Sequence, residues 1–183
     1  MRPTAAGVTA IVMLSGITGR AQVQQSFMTA CATIACDIQN DWLRNNIMLY
    51  GLAGAMPEDK YGFKPTPAQQ TFAERLMHVV EIDQSLLKTI GPRTPPPPIN
   101  MKATSKADVM AAIQRSGEYG AAVLKEFTDQ QLAERVDSPW FMGPTSSRQR
   151  IVYFLMTHSQ DTYGQLAVYL RLNGVTPPLS RQP

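Results

Sequence analysis

Near the C-terminal end, three polar side chains, His158, Thr162 and Gln165, share one helical stripe with Ile151, Leu155, Leu166 and Tyr169, within a sector of about 100°. Each polar group buried without a partner costs on the order of 1–3 kcal/mol, so each needs a hydrogen bond, a water or a metal. The only other histidine, His78, stands beside Ile82 at the edge of a second apolar stripe, whereas Asp83 and Asn45 fall inside stripes of their own. Two imidazoles carried by separate helices can ligate a divalent ion. The same residues can also form a hydrogen-bonded polar seam, and pattern alone favours the seam, because two histidines are a small ligand set.

Four long segments with helical periodicity must position these groups, and the material between them is rich in proline and glycine. The first runs from about Ser26 to Met56, with Ile34, Ile38, Trp42, Leu49, Leu52 and Met56 on one stripe. Pro57, Gly62, Pro65 and Pro67 end it. The second starts at Thr71, which forms a capping box with Glu74, and stops at Gly91-Pro92. Pro95 to Pro98 then make a stiff extended connector, better suited to a crossover along a bundle than to a tight turn. The third opens near Thr104 or Ser105 and places Gly117 and Gly120 on its apolar stripe, where a neighbouring helix can approach closely. A short turn follows Thr128, with Gln131 at its capping position. Residues 137 to 145 read as a loop that folds Trp140 and Phe141 over one end of the bundle. The fourth helix begins after Ser146, with Gln149 three residues on, and runs to Asn173 before Gly174 supplies a left-handed stop. No alternating strand pattern competes with these helices.

The chain of 183 residues has the size of one domain. Residues 1–21 have the form of a signal peptide: Arg2, a mostly apolar run from Ala5 to Ile17, and a small-x-small site at Gly19-Arg20-Ala21, leaving a mature domain over 22–183. The apolar run is short for a membrane span, so cleavage is favoured over retention as an anchor, and a periplasmic or secreted location follows. Loss of Arg2 and Arg20 would leave 15 basic against 14 acidic residues, with no basic stripe interleaved with aromatics, which excludes nucleic acid as a partner. Cys31 and Cys36, if both helical, point about 140° apart and are expected as two buried thiols; a bridge requires this stretch to be a loop. No phosphate loop, nucleophile elbow or H-E-x-x-H motif is present, and His158 beside Ser159 is not a triad.

The stretch Met56 to Pro67, followed by Thr71-Phe72 and then His78, resembles the signature of DinB-like proteins, as does the stretch from His158 to Gly174 that precedes Val175, Pro177 and Pro178. The likeness covers roughly residues 40 to 181. It implies an all-α four-helix bundle, often a homodimer, with Zn or Ni held by three histidines, one on the second helix and an H-x-x-x-H pair on the fourth. His78 matches the first and His158 the second, but Thr162 stands in the third position, and a threonine hydroxyl is a poor substitute for imidazole. Two readings follow. In one, the site is a degenerate two-histidine site in a binding or scaffold module. In the other, His78 and His158 hold a metal with waters and a stand-in such as Asp161, Glu81 or Gln165, and the protein is a metal-dependent enzyme of the thiol-transferase or isomerase kind, with a thiol or other small molecule as ligand. The glycine-bearing third helix is the candidate dimer interface.

Overall fold

Thr33 ends its extended backbone by accepting the Cys36 N–H, and Asp129 accepts the N–H groups of Ile34 and Ala35 at 3.2 and 2.7 Å, so the first helix begins at Ile34. This is a computed structural model, and it describes residues 30–180; the leader segment lies outside the described residues. Helix α1 spans Ile34–Ala55, α2 Phe72–Thr89, α3 Lys106–Leu124, the short α4 Asp129–Ala133 and α5 Arg148–Leu172. The start of α1 differs from the expectation near Ser26. Residues 31–33 are non-helical, which is the condition under which Cys31 and Cys36 can bridge, and they do, with Cα atoms 5.5 Å apart. The expectation of two free thiols is thereby corrected. Ile34, counted in the core stripe, is 48 % exposed because it lies in the first turn, before α1 enters the bundle.

The remaining caps follow the local chemistry. Thr71 and Glu74 close a reciprocal capping box on α2, and Thr128 and Gln131 do the same on α4. Ser105 caps α3 through the Asp108 N–H. On α5 the cap is Ser147, which accepts the Arg150 N–H, one residue later than expected. Gly91 and Gly174 stand at φ +72° and +71°, the left-handed stops that the sequence places after α2 and α5.

Hydrogen bonds between termini fix the helix directions. At one end, the Tyr61 hydroxyl donates to Ala53 O, the Lys106 ammonium donates to Gly54 O and Met56 O, the Ala73 N–H donates to Tyr61 O, and the Tyr169 hydroxyl donates to Gln70 O. The end of α1, the starts of α2 and α3 and the end of α5 are therefore together. At the other end, Arg148 Nε donates to Ile90 O and Gln39 Nε2 to Leu124 O. So α1 and α5 run one way and α2 and α3 the other. Both α1 and α2 pack on α3 and α5, which places α1 and α2 on one diagonal of a four-helix bundle.

Because α2 and α3 are parallel neighbours, the chain between them must return along the whole bundle. The return covers ~27 Å for an 18-residue helix, a distance that about nine residues of polyproline type, at ~3.1 Å each, can span. The proline-rich connector does so. Glu126 accepts Arg93 N–H and Thr94 N–H at 2.7 and 2.8 Å at its start, and Gln84 Nε2 donates to Pro97 O part-way along.

The glycines of α3 meet α1. Trp42 Nε1 donates to Gly117 O at 3.0 Å, and the Trp42 ring and Asn46 occupy the space that side chains at Gly120 and Gly117 would need. That face is thus covered within the chain and is not available as the dimer interface expected of it. The loop expected over 137–145 is the connection of a hairpin, with only its end residues Asp137 and Thr145 in strands. Arg135–Asp137 pairs antiparallel with Thr145–Ser147 as strands β1 and β2, each too short to show an alternating pattern. At the tip of this hairpin Met142 is buried and Phe141, 47 % exposed, packs on Phe154 of α5, whereas Trp140 is 91 % exposed and does not cover the bundle as expected.

Candidate functional site at the seam of α2 and α5

His78 leaves α2 on the side that meets α5, and His158 leaves α5 toward it. Their ring centroids are 5.1 Å apart with an interplanar angle of 75°, an edge-to-face contact. The two histidines therefore converge as the sequence predicts, at the outer edge of the seam: both are half-buried. His158 Nδ1 is shielded from solvent and has no hydrogen-bond partner. Burial, and then the neighbouring His78, push the His158 imidazole below its ordinary pKa; Asp161 pulls the other way and Arg75 adds to the depression. The ring is held in its neutral form, the state of a donor or ligand.

Thr162, one turn beyond His158, is only 1 % exposed. The other members of the expected seam go elsewhere, so it does not form one cluster. Asp83 lies five residues after His78, hence about 140° around α2, and is buried in the core. Asn45 donates to Met156 O and accepts from Gln160 Nε2 at the seam of α1 and α5. Gln165 donates to Asp161 Oδ2 at 2.7 Å on the exposed side of α5. A helical wheel ranks faces but not which neighbour each face meets, and that is where the expectation failed.

On its other flank His78 borders a cleft of about 540 Å³ between α2 and the end of the connector, whose wall includes Glu74, Glu81, Lys102 and Thr104. Sequence reasoning missed two further features. Arg75, three residues before His78, has a buried Nε with no partner. Phe154, four residues before His158, lies nearly parallel to that imidazole, at 16° and 6.2 Å between centroids. Both were visible as i, i+3 and i, i+4 spacings around the histidines.

The donors present do not fit a three-histidine metal centre. Two imidazoles converge, the third position is a hydroxyl, and among the described residues no group of three His, Cys, Asp or Glu side chains is placed to hold an ion.

The fold is that of a DinB-type helical bundle. The family model of the DinB superfamily matches residues 43–166, and the chain belongs to that superfamily. It is 23 % identical over 125 residues to the uncharacterized protein YjoA of Bacillus subtilis (strain 168), covering 68 % of this chain and 81 % of that one. Among solved structures, a DinB-like protein from Bacillus cereus ATCC 10987 superposes with a TM-score of 0.69 at 18 % identity, over 80 % of this chain and 96 % of that chain. The crystal structure of the B. subtilis YjoA protein gives 0.61 at 22 % identity, over 80 % and 98 %.

Proposed function

We propose that this protein is an exported binding module of the DinB superfamily, with its ligand site at the His78–His158 seam and without the resident metal of a three-histidine centre. The observation that carries the reading is the contact between the two imidazoles, with the buried His158 Nδ1 left unpartnered beside a threonine in the third-ligand position. Export is supported by the Cys31–Cys36 bridge, which persists in an oxidising compartment, and by the leader-like composition of residues 1–21. Among the described residues no helix is long and apolar enough to cross a membrane.

The test is metal content and zinc titration of the purified mature protein beside His78→Ala, His158→Ala and Thr162→His. The wild type is expected to purify without stoichiometric metal, and Thr162→His to raise zinc affinity by at least about tenfold, because an i, i+4 imidazole pair can share one ion. Stoichiometric metal in the wild type, lost in both alanine variants, would overturn this reading in favour of a metal-dependent enzyme acting on a thiol or another small molecule.

A further inference from the structure

Five rings form an unbroken row along the edge of α5. Trp140 meets Phe141 at 5.8 Å between centroids, Phe141 meets Phe154 at 5.1 Å, Phe154 meets His158 at 6.2 Å and His158 meets His78 at 5.1 Å. The row starts at a hairpin tip where Trp140 is 91 % exposed and Phe141, which packs on Phe154, still leaves 47 % of its surface in solvent, an apolar patch at one end of the row. It ends at the paired imidazoles of His158 and His78. Because α2 and α5 are antiparallel, Arg75, one turn before His78, lies at the level of Thr162, one turn after His158. Arg75 Nε and His158 Nδ1, on facing helices, are both buried without partners. The carboxylate whose charge also reaches His158, that of Asp161, accepts a hydrogen bond from Gln165.

A guanidinium on α2 and two imidazoles at the seam beside Thr162 are suited to an anion, since an arginine fork matches a carboxylate. Planar rings next to them are suited to a flat apolar body. We propose that the seam binds an aryl carboxylate, its carboxylate on Arg75 and the two histidines and its ring along Phe154 and Phe141. The proposal rests on the seam being the ligand site and adds the chemical class of what it takes.

The probe is 2-naphthoate, followed by calorimetry and by quenching of Trp140 fluorescence, with 2-naphthamide as the uncharged control and acetate as the ringless one. One molecule of naphthoate is expected per chain, with both controls at least about tenfold weaker, the loss that accompanies removal of one charge-assisted hydrogen bond or of the stacked ring. Arg75→Gln is expected to lower naphthoate affinity by about tenfold or more and Arg75→Lys by less, while Phe154→Ala weakens naphthoate and leaves acetate unchanged. Circular dichroism of each variant verifies its fold, and Trp140→Phe verifies the origin of the quenching, since the other tryptophan, Trp42, is buried in the core. Equal affinity for the carboxylate and the amide, or an unaltered Arg75→Gln, would overturn the assignment. Stoichiometric zinc with no naphthoate binding would sink both this assignment and the metal-free reading, whereas absence of both zinc and naphthoate would sink the assignment alone.

Discussion

The Trp42 ring lies where a side chain at Gly120 would have to be: a Cβ built on Gly120 overlaps Cζ2 and Cε2 of the indole. The two residues are a lock between α1 and α3, reinforced by the Trp42 Nε1–H bond to Gly117 O. Alanine at position 120 is favoured by helix propensity by about 1 kcal/mol, yet must displace a buried, hydrogen-bonded indole. Gly120→Ala is therefore expected to destabilise the fold by about 1–3 kcal/mol, read from the urea midpoint. At Gly117 the obstruction is the Asn46 side chain, which can rotate, so Gly117→Ala is expected to cost less. Equal effects at the two positions would refute the lock.

Glu126 is the clasp that starts the proline-rich connector. Its carboxylate accepts from the Arg93 and Thr94 N–H groups and, at 2.6 Å, from the Thr94 hydroxyl. These donors, Thr94 foremost, hold its pKa down to about 2. A depressed carboxylate stabilises the fold above its unfolded pKa near 4.5 and loses that contribution as pH falls toward 2. Glu126→Gln is expected to lower stability by about 1 kcal/mol at pH 7, a figure kept small because the site borders solvent. The difference should shrink as the pH approaches 2. A pH-independent difference would mean that the clasp acts through shape and not charge.

The parts of this fold that were legible in the sequence are those decided within one or two helical turns. Thr71 with Glu74, Thr128 with Gln131, and the stops at Gly91 and Gly174 all depend on neighbours a few residues away. The proline connector was legible too, because its stiffness is a property of its own residues. Features decided at a distance were not. The start of α1 is set by Asp129, some 95 residues later, and with it the cysteine bridge changes from forbidden to formed. In the site, the meeting of His78 with His158 followed from the family resemblance, whereas the placement of Asp83, Asn45 and Gln165 required knowing which helix faces which. Arg75 was overlooked because an arginine on an amphipathic helix usually reads as a solvated face.

Asp83 carries the last prediction. It is 3 % exposed, in the apolar interior on α2, and its Oδ1 has no hydrogen-bond partner. Desolvation raises its pKa well above the usual carboxylate value, so the folded chain keeps it protonated where the unfolded chain would not. A raised acid gives stability that is fully present below the unfolded pKa of 3.8 and is lost progressively as pH rises toward the folded pKa. Through that window the slope approaches about 1.4 kcal/mol per pH unit. Asp83→Asn removes the titration while keeping the shape, and Asp83→Leu removes the polar group as well. Urea melts from pH 4 upward should show wild-type stability falling relative to both variants, with the gap widening as pH increases. The core around Asp83 would then be most stable in mild acid, and a wild type that tracks Asp83→Asn at every pH would show instead that a water or a rearrangement solvates the carboxylate in the folded state.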